Sequence, residues 1–310
     1  MIGRHGLLGH SLEFELAKTH SIWTPETRTN WQDQSSAVAS IRQNCERFFQ
    51  SINDADWSIA WCAGRSIVGS SNSEIDQESE LIETLFDAIK VCKPVGVTGK
   101  VFFASSAGGV YAGAPSEIID EDSQPKPIAT YGFGKLAHEE IFKKNAKQQQ
   151  INCLIGRITN LYGPGQDMTK SQGLISQLCR SNLTKKPLNI FVPLQTARNY
   201  LYVDDAAAMI AGFIQHDDTL CIKIFASPQS ITVATLIRTS YEVFKRRPLI
   251  SLGVNERTSM QPMSLHFKSK VKTEIDQRQF NSLSSGLAKT IESLAECAPL
   301  IKFYFVEIND

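Results

Sequence analysis

Short apolar runs alternate with longer helical patterns over the first two-thirds of the chain, and this alternation constrains the fold more than any other feature. Apolar runs predict strands at residues 57–63, 101–104 and 152–156. Between them, apolar residues recur at helical spacing in residues 74–92, and residues 131–146 form a second helix candidate. Strands separated by helices of this length make β-α-β units, so the sequence predicts an α/β fold around a parallel sheet.

Composition narrows the class of partner. The 310 residues carry 32 basic and 32 acidic side chains, and the resulting net charge of zero gives no support to nucleic-acid or membrane-surface binding. Seven scattered cysteines without a C-x-x-C pair are typical of thiols in a reducing compartment, not of a metal site. The apolar run at residues 206–214 is too short for a bilayer, which takes about 20 residues, and no leader precedes the first turn. We expect a cytoplasmic protein with a small-molecule site.

The N-terminus carries a Gly-rich turn that opens a helical pattern, Gly3-Arg4-His5-Gly6-Leu7-Leu8-Gly9. Glycines at this spacing let the chain turn sharply and let a diphosphate approach the backbone at the helix N-terminus. The whole turn is therefore a candidate dinucleotide site, with an ordinary tight loop as the alternative for three glycines alone. Only Met1 and Ile2 precede Gly3, so we expect the strand that normally leads into this motif to be missing or severely shortened.

The residue that contacts the ribose of such a cofactor lies about 20 residues beyond the turn. This position falls in residues 23–28, where Glu26 would bind a free 2′-hydroxyl and Arg28 a 2′-phosphate. Arg4 adds a second positive charge nearby. The two arginines favour NADP over NAD, whereas Arg28 as a solvated surface charge is the alternative interpretation.

Tyr131 and Lys135 stand at positions i and i+4 of the second helix candidate, and so share one helical face. A phenol ionises near pH 10 in water, but a neighbouring ammonium stabilises its phenolate, which allows proton exchange with a hydroxyl or carbonyl group. Ser105 and Ser106 follow an apolar strand, where the active-site groups of open parallel sheets gather. His138, one turn beyond Lys135, is interpreted as a surface residue.

In these motifs the sequence resembles the NAD-dependent epimerase/dehydratase family of the extended short-chain dehydrogenase/reductase superfamily. The resemblance covers most of the chain in the family's order and runs through six blocks: Gly3-x-x-Gly6-x-x-Gly9, residues 61–64, residues 104–111, Tyr131-x-x-x-Lys135, residues 156–166 and residues 198–205.

The resemblance implies a Rossmann-type doubly wound parallel sheet and a smaller C-terminal substrate-binding lobe. The NAD(P)-binding domain would comprise residues 1–156 with a later return segment near 197–225, and residues 157–310 would mainly form the lobe. NAD or NADP would contact the Gly-rich turn, including Leu7 and Leu8, together with Ala63, Gly64 and Lys135. Tyr131 would be the acid/base, and Lys135 would be both its partner and a ribose ligand.

The family also uses a Ser/Thr hydroxyl beside the reacting oxygen. Counting back from Tyr111, that position falls on Ala107, so Ser106, one residue earlier, is the candidate for catalysis and substrate contact. Asn160 and Arg198 are the further candidates for substrate binding, while Arg157 would make either a substrate contact or a structural ion pair.

The resemblance further implies a nucleotide-sugar epimerase or a keto-sugar reductase, and possible assembly as a homodimer. The loop after Ser106 carries neither the Asp-Glu pair of the family's dehydratases nor a cysteine for epimerisation at C3 and C5. Two alternatives remain open. The shortened first strand and the displaced serine favour a non-catalytic or truncated dinucleotide-binding relative that acts as a sensor, and the lobe sequence is also compatible with a reductase of a non-sugar carbonyl.

Overall fold

The computed structural model describes residues 1–64, 70–166, 173–253 and 262–304. The helices are α1 Leu7–Leu16, α2 Gln34–Ser51, α3 Asn72–Cys92, α4 Ala107–Val110, α5 Thr130–Gln149, α6 Leu174–Thr184, α7 Val203–Ile214, α8 Val233–Phe244 and α9 Leu283–Tyr304. The strands are β1 Trp57–Trp61, β2 Gly99–Ser106, β3 Asn152–Ile158, β4 Asn160–Tyr162, β5 Leu188–Ile190, β6 Ala197–Tyr202, β7 Leu220–Phe225, β8 Ser230–Thr232 and β9 Ile250–Leu252.

The main sheet is parallel, with the strand order β1-β2-β3-β7. Beyond β1, Ile2 adds one parallel bridge opposite Trp61, in which the Ile2 N–H donates to the Ala60 carbonyl at 2.9 Å. The Cys62 N–H donates in turn to the Ile2 carbonyl at 2.9 Å. In the described residues a single bridge thus stands at the place where we expected the first strand to be missing or severely shortened.

Helices cover both faces of this sheet because its strands are apolar on both sides. Successive residues of a strand point to opposite faces. Accordingly, Val101 and Phe103 pack with α2, α3 and α5, whereas Phe102 packs with α1 and α7. This two-sided cover confirms the predicted doubly wound α/β fold.

The C-terminal part of the chain builds smaller sheets and a separate apolar cluster. Strands β4, β6 and β8 form one sheet, and β5 pairs with β9. Leu178 of α6, Leu236 of α8, and Leu287 and Leu294 of α9 pack together beside them. The segment at 197–225 is divided between the two parts, because β6 lies in the three-stranded sheet while β7 joins the main sheet.

No helix in the described ranges is both long and apolar enough to cross a bilayer. The same residues contain no group of three or more histidine, cysteine or acidic side chains able to hold a metal ion.

Candidate functional site

Close backbone packing requires glycine at two positions of the Gly-rich turn. Gly3 has a φ of +80°, and a Cβ there would lie 2.4 Å from the Ala63 nitrogen. A Cβ on Gly9 would lie 2.1 Å from the Gly3 carbonyl oxygen. Neither position accepts a side chain without moving backbone. The turn therefore holds the start of α1 directly against the loop that follows β1.

The first turn of α1 presents backbone N–H groups with the geometry of an anion site. Gly6 precedes the helix and provides no side-chain cap, and the His10 N–H donates to the Gly6 carbonyl at 3.0 Å. Leu7, Leu8 and Gly9 come before His10 in the first turn of α1, and N–H groups in a first turn have no acceptor within the helix. These groups and the helix dipole fit a diphosphate.

A cavity of about 1510 Å³ adjoins the turn. Its walls include residues 3–6 of the Gly-rich turn, β1, the chain between α1 and α2, part of α2, and the residues Ala63, Gly64 and Glu78. Ligand pockets commonly occupy about 300–1,000 Å³, so this space is ample for a dinucleotide.

Both candidate ribose-reading residues line this cavity, but they have different surroundings. Glu26 is paired with Arg47, whose Nη1 lies 2.9 Å from the Glu26 Oε2. Arg28 lies close enough to His5 that its charge, after burial and together with the charge of Arg4, lowers the pKa of that imidazole. The cavity wall beside the turn therefore carries several basic groups.

Arg4 has a partner of its own. Its Nε and Nη2 donate to the two carboxylate oxygens of Glu13 at 2.8 and 2.5 Å. This bidentate ion pair joins the Gly-rich turn to the side of α1, so part of the charge of Arg4 is offset before any ligand binds.

Tyr131 and Lys135 face each other on α5, as their spacing predicts. The Lys135 Nζ lies 5.9 Å from the centroid of the Tyr131 ring and 5.1 Å from that of Phe103 on β2. The Tyr131 ring in turn lies against Gly109, where a Cβ would be 2.9 Å from two ring carbons. The pair thus sits at the carboxyl end of β2, beneath the short helix α4.

Ser106 adjoins the same glycine. Its Oγ accepts a hydrogen bond from the Gly109 N–H at 3.1 Å and caps α4, whereas Ser105 donates to Glu139 at 2.6 Å. Ala107, on which the count back from Tyr111 placed the expected hydroxyl, is fully buried. Tyr131 and Ser106 therefore meet around Gly109, with the Ser106 hydroxyl also serving as a helix cap.

Glu78 of α3 is a candidate site residue that the sequence reasoning missed. Its Oε1 lies 3.1 Å from the Lys135 Nζ, and both side chains are almost fully buried. A Cβ on Gly64 would lie 3.4 Å from each of these two atoms. A signal was present, because a carboxylate stands on the helical face that also carries the buried Ile75 and Leu81.

Opposing effects act on the pKa of the Lys135 ammonium. Burial lowers its pKa, but the charges of Glu78 and then Tyr131 raise it, and the net direction is upward. The cation is therefore retained at neutral pH despite its burial.

The surface interpretation of His138 is wrong. Its side chain is 1% exposed, because α5 packs this face against α3. The Nδ1 lies 3.5 Å from the Glu78 Oε1, and the Nε2 lies 3.1 Å from the Ser79 Oγ. Burial is the largest influence on the imidazole and lowers its pKa.

Arg157 belongs to a buried structural network. It donates from two nitrogens to both carboxylate oxygens of Glu139, at 3.0 and 2.7 Å, and from a third to the Tyr111 hydroxyl. Ser105 donates to the same carboxylate. Because these groups lie between β2, β3 and α5, the ion pair holds α5 on the sheet, and Arg157 is not exposed toward a substrate.

Asn160 and Arg198 line one common cavity of about 140 Å³ in the C-terminal part of the chain. The Asn160 amide donates to the Asn199 carbonyl at 3.0 Å, while burial lowers the pKa of the Arg198 guanidinium. The same cavity contains Gln166, whose Oε1 is buried without a hydrogen-bond partner in the described residues.

The family model described as "NAD dependent epimerase/dehydratase family" matches residues 1–224. Among curated relatives, dTDP-4-dehydro-6-deoxyglucose reductase of Escherichia coli is 27% identical over 195 residues, which cover 63% of this chain and 61% of the reductase. The match thus spans about three-fifths of the relative's length.

Two solved structures extend the similarity over nearly the whole chain. MoeE5 in complex with UDP-glucose and NAD has a TM-score of 0.77 at 21% identity, covering 96% of this chain and 98% of MoeE5. RMD from Pseudomonas aeruginosa complexed with NADPH has a TM-score of 0.74 at 19% identity, covering 95% and 97%. At these identities the comparison shows a shared Rossmann-type fold.

Proposed function

The chain belongs to the NAD dependent epimerase/dehydratase family, and from that premise we propose that it is an NAD(P)-dependent nucleotide-sugar epimerase or keto-sugar reductase. The observation that carries the proposal is the position of the Lys135 ammonium. It lies 5.9 Å from the Tyr131 ring centroid and 3.1 Å from Glu78, which lines the cavity beside the Gly-rich turn. The names of the E. coli reductase and of MoeE5 with UDP-glucose support a sugar nucleotide as the substrate class.

The residues around the cavity fit a nicotinamide dinucleotide. The first-turn N–H groups of α1 would hold its diphosphate, and the bare backbone of Gly64 leaves room for a ribose beside Lys135. When bound, the cofactor supplies the acceptor or donor of hydride. Arg28 lines the cavity together with Arg4 and would bind a 2′-phosphate, so we propose NADP as the preferred form.

The remaining chemistry falls to side chains of this chain. Tyr131 would pass a proton to or from the reacting oxygen of the sugar, with the Lys135 ammonium 5.9 Å from its ring centroid. Ser106 would direct its hydroxyl proton to the same oxygen while its lone pair caps α4. Asn160 and Arg198 would contact the substrate from the C-terminal lobe.

Cofactor choice is tested by fluorescence titration of NADPH and NADH with the wild-type chain, with Arg28→Ala, and with Arg42→Ala as a matched control on the exposed side of α2. Loss of a charge-assisted phosphate contact predicts an NADPH dissociation constant about tenfold higher for Arg28→Ala, with little change for NADH. Equal weakening of both cofactors in Arg28→Ala would exclude a 2′-phosphate contact.

Catalysis is tested with Tyr131→Phe and candidate nucleotide sugars. Loss of a general acid/base predicts a rate at least about 100-fold lower, with NADPH affinity retained. A rate unchanged by the substitution would remove the mechanism. Cofactor binding without turnover in the wild-type chain would instead favour a dinucleotide-binding sensor, a candidate supported by the capping role of Ser106 and by Ala107 in the hydroxyl position.

A further inference from the structure

We propose that Glu78 is a positioning residue of this site, which holds the Lys135 ammonium in place and keeps it charged. The inference rests on the proposed function, since it concerns the pair Tyr131 and Lys135. It adds a residue from α3 that stands outside all six sequence blocks. Its carboxylate reaches the site from a helix 57 positions away in sequence.

The geometry provides the first argument. The Glu78 Oε1 accepts a hydrogen bond from the Lys135 Nζ at 3.1 Å, with side-chain exposures of 7% and 6%. An ammonium on a four-carbon chain has many rotamers, and a buried partner selects one of them. The selected rotamer places the cation beside the Tyr131 ring and next to Gly64.

The carboxylate has a second neighbour on α5. The His138 Nδ1 lies 3.5 Å from the Glu78 Oε1, and the Nε2 of the same ring lies 3.1 Å from the Ser79 Oγ. His138 also packs edge-on against Phe103, with 6.2 Å between ring centroids. The carboxylate thus lies between an imidazole and an ammonium from successive turns of α5.

Electrostatics provides the second argument. A buried lysine tends to lose its proton because burial disfavours the charged form, and the Glu78 carboxylate opposes this loss. Among the residues that the structure describes, the other charged or titratable groups that face Lys135 are Tyr131, Glu139 and His138, all on α5. Glu139 is already engaged by a bidentate ion pair with Arg157 from β3.

A consequence for pH dependence follows from this arrangement. The Glu78 carboxylate opposes proton loss from the Lys135 ammonium, so its neutralisation makes that loss easier. The upper end of the pH range in which Lys135 keeps its charge therefore moves downward when Glu78 is neutralised. A side chain that merely filled space would change the rate at every pH by the same factor and leave the range in place.

The test compares Glu78→Gln and Glu78→Asp with the wild-type chain. Glu83→Gln is the matched control, because it removes a carboxylate from the same helix, α3, but one that accepts a hydrogen bond from Asn145 and not from Lys135. Two quantities are measured from pH 5.5 to 10: the NADPH dissociation constant, by fluorescence, and kcat/KM for hydride transfer. Circular dichroism checks that each variant is folded.

For Glu78→Gln we expect NADPH affinity and kcat/KM to fall at the alkaline end of this range, where the wild type, whose Lys135 pKa lies above 10.5, retains both. Glu78→Asp keeps the negative charge but places it farther from Lys135, so NADPH affinity and kcat/KM should change in the same direction by a smaller amount. If Glu78→Gln does not fold, the comparison of Glu78→Asp with the wild type tests the inference. Glu83→Gln follows the wild type.

Equal profiles for Glu78→Gln and the wild type, even at a lower rate, would overturn the inference while leaving the proposed function intact. A wild-type chain that neither binds a nicotinamide dinucleotide nor transfers hydride would overturn the proposed function, and the inference with it.

Discussion

Gly9→Ala tests whether backbone contact in the Gly-rich turn shapes the cofactor site. The added Cβ would lie 2.1 Å from the Gly3 oxygen, 2.8 Å from the Gly3 carbonyl carbon and 2.9 Å from the Arg4 Cα, all backbone atoms. Overpacking of this kind costs about 1–3 kcal/mol. The higher helix propensity of alanine returns up to about 1 kcal/mol, which leaves a net loss of up to about 2 kcal/mol when that gain is complete. The shift needed to relieve the contact also displaces the N–H groups that would hold the diphosphate.

The assay combines urea unfolding with NADPH titration. We expect a lower urea midpoint for Gly9→Ala and an NADPH dissociation constant at least about tenfold higher, since a displaced cradle loses charge-assisted hydrogen bonds. Gly6→Ala is a milder change, because its Cβ would lie 3.3 Å from the Gly3 oxygen at a negative φ. Gly108→Ala is the matched control, because a Cβ there meets no heavy atom within 4 Å.

One outcome would refute this reasoning. If Gly9→Ala matched Gly108→Ala in both urea midpoint and NADPH affinity, the turn would tolerate a side chain at its tightest contact. The assignment of this turn as a diphosphate cradle would then lose its structural basis.

Three further predictions concern buried polar groups. Arg157→Met leaves the carboxylate of Glu139 buried without its ion pair and should lower the free energy of unfolding by about 3–5 kcal/mol in urea titrations, with partial recovery when Glu139→Gln is added. Asp205→Ala removes the acceptor of two hydrogen bonds from Asn281, at 2.9 and 3.0 Å, and should cost about 1–3 kcal/mol, seen as a lower Tm. Burial lowers the pKa of His138 below its ordinary 6.5, so the unfolded chain binds the proton more tightly. The contribution of His138 to the free energy of unfolding is therefore complete above pH 6.5 and decreases as the pH falls toward the pKa of the folded state. His138→Gln should make the free energy of unfolding depend less on pH between 7.5 and 5.5. An unchanged dependence would contradict the assignment of His138 as a buried, neutral imidazole.

Local patterns determined much of the fold and part of the candidate site. The predicted strand at 101–104 lies within β2, and the predicted helix at 74–92 matches α3 with two added residues, because side-chain periodicity reports which face of an element is buried. The spacing of Tyr131 and Lys135 placed both on one face of α5 for the same reason, and the helix indeed brings them together.

Periodicity places Glu78 on the buried face of α3, but it does not show that Lys135 is the partner of its carboxylate. In the same way it does not show that His138 is buried, or which of its two expected roles Arg157 takes, because these outcomes depend on which helix packs against which. Secondary-structure propensity and hydrophobic periodicity depend on residues that are close in sequence. Whether a charged side chain is buried depends on elements that are distant in sequence and that pack together and exclude water. Only the tertiary structure therefore shows that a carboxylate faces the lysine, that the histidine lies inside, and that the arginine is engaged by Glu139.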